Sequence, residues 1–315
     1  MSNNISVLIQ GLNEAEQLPR LFAPLKGIED IVFIDHQSTD NSVDVAKSLG
    51  ARVVTREFLH NIVTEDDVID FKKRFGYDPA FKKGDKIIRA CDERYEMQKN
   101  CKNDWILNLD CDEIITWDYK KVQRLLNHSD VVNCKFYHDR NPDGSRKDWF
   151  QTTKLYNRQK TWWIGRIHEV IDGYNLRVGW SEEMEIDHHQ RFDRSRRSYI
   201  SHLEYSVLRD NDIRAFYYLG KEYHLYGEYE KAINIFTLYL GGAFYLPEKI
   251  KSYIYIAYCM WELDREDEAW VYCMQALKLN PNSQEAYLFL ATIASKKDRK
   301  TWLKHAELAS NDHLL

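Results

Sequence analysis

Apolar positions in the first third of the chain fall into short, almost unbroken runs, each followed by a polar stretch or one with helical spacing. Ile5-Ser6-Val7-Leu8-Ile9 reads as a β-strand, Gln10 to Glu14 as a loop, and Leu18, Leu21, Phe22 and Leu25 as the buried face of a helix. After Gly27 the run Ile31-Val32-Phe33-Ile34 predicts a second strand, closed by the polar segment Asp35 to Ser42. Ser38 or Asp40 could cap the helix expected from Val43 to Leu49, and Ala51 to Val54 predicts a third strand. Trp105 to Leu109 is the next strand, apolar throughout and so expected to be buried on both faces. Strands alternating with helices imply right-handed βαβ units and a mostly parallel sheet, whose ligands bind beyond the carboxyl ends of the strands. Asn13, Asp35 and Asp110 all fall at such ends.

From about Asp193 the pattern changes. Strand signals give way to small and aromatic residues at helical spacing: Phe216, Leu219, Gly220, Tyr223, Gly227, Tyr229, Ala232 and Phe236 fit the tetratricopeptide pattern. A second copy carries Tyr253, Ile256, Ala257, Ala269, Ala276 and Pro281, and Ala269 lies 37 positions after Ala232, close to the ideal period of about 34. Tyr287, Leu290, Ala291 and Ala294 mark a clipped third copy, followed by a last helix around Trp302 to Leu308. Small alanines let helices approach and large aromatics fill the grooves, so most of these rings are read as packing. The boundary is placed between residues 192 and 193, giving an α/β domain at 1–192 and an all-α repeat domain at 193–315. Between the third and fourth strands, Glu57 to Asp85 is a charged insertion in which Asp66 to Phe75 can form a helix. It either shapes a pocket at the strand ends or covers the sheet edge.

The candidate chemistry sits where the fourth strand stops. Asp110, Asp112 and Glu113 place three carboxylates in four positions, and carboxylates two residues apart repel unless positive charge lies between them. A hard divalent cation with oxygen ligands is the usual answer, and one that also touches a diphosphate would stabilise a departing phosphate. A solvated acidic turn is the alternative. Further on, Trp162-Trp163-Ile164-Gly165-Arg166-Ile167-His168-Glu169 holds two neighbouring base candidates. If this is a strand, they point to opposite faces and only one meets a substrate. A surface histidine beside a structural Arg166–Glu169 ion pair is the competing reading. Ile186-Asp187-His188-His189 offers imidazoles of a type that suits manganese-like ions.

Three of these motifs, in this order, resemble the family 2 glycosyltransferases of the GT-A fold: Asn13-Glu14, then Asp35 with Ser38-Thr39-Asp40, then Asp110-Cys111-Asp112-Glu113. The resemblance covers roughly residues 4 to 190, and some members carry tetratricopeptide repeats after the catalytic domain. It implies a nucleotide pocket lined by Asn13, Glu14 and Ser38, with Asp35 on the nucleobase and Asp110 and Arg166 also on the donor. It implies a metal, Mn2+ or Mg2+, held by Asp112, Asp110 and His188. The segment from Leu155 to Glu169 is similar to the lipopolysaccharide-core β-glucosyltransferase branch, which makes Glu169 the preferred catalytic base and His168 the alternative. The implied activity is inverting transfer of a sugar, glucose as first choice, from a nucleoside diphosphate such as UDP to a hydroxyl or similar nucleophile on a glycan, peptide or modified nucleobase. A transferase-like scaffold that has lost activity and binds partners through its repeats is the other class of function. Four polar groups kept together at one site favour the enzyme. The insertion departs from the family pattern, so the acceptor is what the resemblance specifies least.

Composition narrows the remaining choices. At 315 residues and 44% hydrophobic content the chain can build two cores. Neither a signal peptide nor a membrane span is recognisable, so no integral membrane contact is expected. The six cysteines show no C-x-x-C spacing and read as reduced cytoplasmic thiols. A net charge of −5 argues against a general nucleic-acid coat. It leaves room for a local basic segment, Arg191, Arg194, Arg196 and Arg197 around Asp193 with Tyr199 beside it. That segment is read as a solvated helix start or as a contact for a diphosphate or an anionic acceptor. The repeats are expected to serve a homodimer, a protein partner or acceptor docking.

Overall fold

A computed structural model describes residues 4–138, 140, 144–147, 149–189, 198–210 and 212–309. The chain divides into two units, residues 1–61 with 88–195, and residues 62–87 with 196–315. Its class is the expected one, an α/β unit with a large, mostly parallel sheet and an all-helical unit.

In the first unit the strands are β1 (Ile5–Gly11), β2 (Asp30–Asp35) and β3 (Arg52–Thr55), then β6 (Trp105–Asp110), β7 (Glu113–Trp117), β8 (Val131–Tyr137), β9 (Trp149–Asn157), β10 (Trp162–Ile164), β11 (Val170–Asp172) and β12 (Val178–His188). Two short strands, β4 (His60–Ile62) and β5 (Lys86–Ile88), pair with each other where the chain passes from one unit to the other and back. The main sheet has the order β3-β2-β1-β6-β9-β8-β12-β7. β3, β2, β1 and β6 are parallel neighbours, β8 and β12 are also parallel, and β9 and β7 run antiparallel to their neighbours. The apolar runs explain the parallel half, because alternate residues of one strand fill two different cores. Val7 and Ile9 of β1, Phe33 of β2, and Leu107 and Leu109 of β6 pack with the helices α1 (Leu18–Phe22), α2 (Ser42–Ser48) and α5 (Tyr119–Leu125). Leu8, Val32, Ile34 and Ile106 face the other way, onto α4 (Ala90–Gln98) through Met97.

The second unit holds α3 (Glu65–Phe75), α6 (Ser198–Arg209), α7 (Ile213–Leu225), α8 (Tyr229–Gly242), α9 (Leu246–Glu262), α10 (Glu266–Leu279), α11 (Gln284–Ile293) and α12 (Arg299–Leu308). The last six form three successive helix pairs. At Gly220 an added Cβ would lie 2.8 Å from the Phe236 ring, so the glycine lets α7 and α8 approach where a side chain would not fit. Ala232, Ala257, Ala269 and Ala276 are fully buried.

Residues 62–85 of the insertion fall in this helical unit. Its helix α3 begins with a capping box between Thr64 and Asp67 and ends at Gly76, whose φ of 83° provides the left-handed C-cap. Phe71, Phe75, Tyr77 and Phe81 form an aromatic cluster with Tyr205, Phe216 and Tyr223 of α6 and α7. Arg209 of α6 binds Asp67 at 2.6 Å. The division also falls at 195/196, a few residues past the boundary read from sequence. None of the six cysteines forms a disulfide. Among the described residues no helix is long and apolar enough to cross a membrane. Arg191, Asp193, Arg194, Arg196 and Arg197 lie outside the described residues.

Candidate active site

The carboxyl ends of β1, β2 and β6 are joined by side-chain to backbone bonds that fix two loops against each other. Asn13, at a φ of 59°, accepts the backbone N–H of Thr39 at 2.7 Å and of Asp40 at 3.3 Å through its Oδ1. The return bond runs from the Asn13 N–H to Ser38 Oγ at 2.9 Å, and the Glu14 N–H donates to Ser42 Oγ at 2.7 Å. Neither Ser38 nor Asp40 caps α2 in the ordinary way, since its N-cap is Asn41, which forms no side-chain cap bond. Asp40 instead accepts the N–H and hydroxyl of Ser42, and Ser38 serves the opposite loop. Asp35 is 1% exposed and its carboxylate accepts the Ser38 N–H at 3.2 Å. Beside it, the buried His36 ring stacks on Phe58 at 3.4 Å. Burial, with Arg56 adding to it, pushes its pKa down to about 4, so it is neutral. Gly11 has no room for a Cβ, which would sit 2.8 Å from Cys111 Sγ and 3.0 Å from Glu14 Cγ.

The acidic cluster obtains counter-charge from two residues that no local motif revealed, Arg94 and Lys154. Asp110 accepts from Arg94 at 3.0 Å and lies 3.8 Å from Lys154, while Glu113 binds Lys154 at 2.6 Å and accepts the Asp110 N–H at 3.0 Å. Burial opposes ionisation of Asp110, but Arg94 and Lys154 outweigh it and hold the carboxyl well below its usual range. Burial prevails at Glu113 and, with Asp110 beside it, raises that carboxyl. Protein cations serve Asp110 and Glu113, and Asp112 is left to a different partner.

That partner is His188. Its Nε2 lies 3.2 Å from Asp112 Oδ2, its ring stacks on His138 at 5.3 Å, and its Nδ1 is buried with no hydrogen-bond partner among the described residues. Burial alone would lower the His188 pKa, yet the hydrogen bond and charge of Asp112 raise it. His189 follows, its N–H donating to the Asp112 carbonyl at 2.7 Å and its ring between Arg20 and Arg140 at 3.5 and 3.4 Å. Among the described residues no group of three His, Cys, Asp or Glu side chains converges on one metal-sized point. Asp112 and His188 nonetheless suit an ion of the Mn2+ or Mg2+ type. Such ions take one or two protein carboxylates and complete their shell with substrate phosphates, and an imidazole favours manganese.

The base candidates are arranged differently from the strand expectation. His168 and Glu169 stand in the bend between β10 and β11, with His168 at a φ of 59° and exposed. Glu169 is 15% exposed and accepts from Arg94 Nε at 2.7 Å. Arg166 does not pair with it and instead donates to Asn61 at 2.9 Å and to the Ile88 carbonyl at 3.3 Å. Arg94 thus forks between Glu169 and Asp110, with Asn108 at 3.2 Å and the Gln10 amide oxygen, turned to face it, at 3.0 Å. Burial alone would weaken its hold on a proton, but the charges of Asp110 and Glu169 raise its pKa. The structure brings together Asp110, Asp112, His188 and Glu169 through Arg94 and the β7–β12 ladder, and separately Asn13, Glu14, Asp35 and Ser38. Arg166 belongs to neither group.

No protein-family model matches the chain. It is similar to proteins of Rickettsia bellii and Rickettsia felis that carry the name uncharacterized glycosyltransferase. The first is 32% identical over 114 residues, 36% of this chain and 29% of that protein. The second is 30% identical over 110 residues, 35% of this chain and 29% of that protein. The chain spans less than a third of the length of these curated relatives. Among solved structures, it resembles MamA MSR-1 at 21% identity and a TM-score of 0.29, covering 34% of this chain and 61% of that one. It also resembles glucosyl-3-phosphoglycerate synthase from Mycobacterium tuberculosis, in complex with Mn2+, UDP and glucosyl-3-phosphoglycerate. That likeness has 19% identity and a TM-score of 0.26, and covers 42% of this chain and 44% of that one.

Proposed function

We propose that the protein is a metal-dependent, inverting glycosyltransferase. It moves a hexose, glucose as first choice, from a UDP-linked donor to a hydroxyl or similar nucleophile on a glycan, peptide or modified nucleobase. Sequence similarity to named glycosyltransferases supports the reaction class. The observation that carries the mechanism is the fork of Arg94, which holds Asp110 at 3.0 Å and Glu169 at 2.7 Å with one buried guanidinium. A base at fixed distance from the donor-binding acid is what an in-line displacement needs, since the acceptor must attack the anomeric carbon opposite the leaving diphosphate.

In this reading the Asn13–Ser38 loop pair and Asp35 seat the nucleoside, and Asp110 orients the donor sugar. Glu169, held by Arg94, takes the proton of the acceptor hydroxyl as its oxygen bonds to the anomeric carbon. The bond to the diphosphate breaks with its electron pair leaving on the phosphate oxygen. A divalent ion held by Asp112 and His188 would neutralise that leaving charge. The helical unit is the natural place for a protein partner or a second copy.

The test is a screen of nucleotide sugars for hydrolysis and for thermal stabilisation of the protein, with and without Mn2+. One UDP-sugar should be hydrolysed and should raise the melting temperature only with the metal. Equal response to every nucleotide, or none to any, contradicts the proposal.

A further inference from the structure

Charge is placed on α12 in the reverse of its order on other helices of the same unit. α3 begins with Glu65, Asp66 and Asp67, and α10 with Glu266, Asp267 and Glu268, and both keep basic residues for the last turn. That order suits the helix dipole, which is positive at the N-terminus. α12 has no acid in its first turn, and Lys296, Lys297, Arg299 and Lys300 crowd its start, with Lys304 one turn later. Elsewhere in the unit a basic side chain pairs within a turn, as Lys231 does with Glu228 at 2.5 Å and Arg265 with Glu268 at 2.6 Å. The five cations at α12 are all exposed, and among the described residues none has an ion-pair partner. Only Asp298 and Glu307 oppose them between residues 295 and 308, and the Asp298 carboxylate accepts the Ser295 hydroxyl at 2.8 Å. Five cations against two acids give this short stretch a net charge of +3 in a chain that totals −5. Lys300 and Lys304, four residues apart, also stand one above the other, and like charges so placed weaken a solvated helix.

The other side of α12 is packed. Ala306 is 2% exposed, and Trp302 lies 5.8 Å from the Trp270 ring and 6.2 Å from that of Tyr287. The tryptophan is thus engaged in packing and is not a free platform on which a nucleic-acid base could stack. What accompanies the lysines toward solvent is aliphatic: Leu303 is 39% exposed, and Leu308, four residues after Lys304 and on the same line, is 73% exposed. Four of the five cations are lysines, point charges on long flexible stems, whereas recognition of a single fixed phosphate or carboxylate favours the planar fork of arginine. Lysines interleaved with leucines on one solvent-facing side of a helix match an anionic bilayer surface, where headgroup phosphates attract the cations and the leucines enter the acyl boundary. We propose that the outer side of α12 and the turn before it form a peripheral docking surface for a membrane containing anionic phospholipid. This surface does not depend on the transferase reading.

The experiment is co-sedimentation of the whole protein with vesicles of phosphatidylcholine alone and with vesicles in which a third of the lipid is phosphatidylglycerol, at low and at high salt. The protein should pellet with the anionic vesicles only, and high salt should release it. Lys300→Gln with Lys304→Gln should weaken that binding roughly 25-fold, at about fivefold for each basic residue near an anionic surface. Both sites are exposed and glutamine is a good helix former, so the melting temperature should not move. Lys99→Gln with Lys121→Gln removes the same charge from paired positions and should leave binding unchanged. Leu308→Ser should weaken it at both salt concentrations. Equal pelleting with both kinds of vesicle, no pelleting with either, or the same loss in the paired-lysine control overturns the proposal. So does tighter binding of a single-stranded oligonucleotide or of polyglutamate than of anionic vesicles, which would make the occupant a soluble polyanion.

Discussion

Two carboxylates, one in each unit, have opposite surroundings. Asp110 faces Arg94 and Lys154, and these cations hold its charge in place against burial. Glu204, 1% exposed in the helical unit, accepts the Tyr223 hydroxyl at 2.6 Å and the Ala80 N–H at 2.5 Å, with no cation bound to it among the described residues. Burial pushes its carboxyl up to about 7, against those two bonds. A buried charge kept by paired cations is available for chemistry, whereas a buried acid kept by neutral hydroxyls and amides fastens structure. Here Glu204 ties the insertion, through Ala80, to α6 and α7, and Tyr77 adds a bond to Tyr223 at 3.1 Å.

The comparison breaks first at the base. A positioned general base contributes about 10²–10⁴-fold, so Glu169→Gln should cut turnover by that factor with donor affinity nearly unchanged. His168→Ala should lose little. If the histidine variant loses the rate and the glutamine variant keeps it, the two roles are exchanged.

Arg94→Ala probes the same charges through stability. It strips one guanidinium from Glu169, Asp110 and Asn108 together, and breaking a buried ion pair from one side costs about 3–5 kcal/mol. A denaturant midpoint that barely moves would mean that Lys154 and solvent suffice for the cluster.

Glu204 should behave in the contrary sense. Its folded pKa of about 7 exceeds the ordinary value of 4.5, so its contribution is complete below pH 4.5 and declines as pH rises to about 7. The loss is about 3 kcal/mol by linkage. Glu204→Gln, which cannot ionise, should remove that decline, read as the difference in unfolding free energy between pH 5 and pH 8. Parallel pH profiles for the two proteins would show that the carboxyl is not raised.

Those two sites also show what a sequence can reveal. Strands β1, β2 and β6 were legible because parallel strands covered on both faces are apolar without interruption, and α3 was expected within Asp66 to Phe75. Asn13, Asp35 and Asp110 were legible as strand-end polar residues. Arg94 and Lys154 were not, since a helix before β6 and a strand after β8 deliver them, and nothing near either residue marks it. The bend at His168 was read as strand because β10 and β11 have only three residues each, too few for alternation to show where the ladder stops. Which core the insertion fills was not legible, because its aromatic residues give no sign of it.

A smaller effect concerns the nucleoside. If Asp35 accepts a hydrogen bond from the base, Asp35→Ala should weaken UDP binding by about 1.5–3 kcal/mol, the range for a charged partner. Unchanged affinity on titration would put the base elsewhere.

The account stands most directly on Asp112 and His188 as the metal-holding pair. Calorimetric titration of UDP into the wild type and into Asp112→Ala, each with Mn2+ and with chelator, measures this in one experiment, with melting temperature as the control for folding. The wild type should bind UDP tightly only with Mn2+, and Asp112→Ala should lose that metal-dependent gain while melting where the wild type does. Equal UDP affinity with chelator, or in the variant, contradicts it.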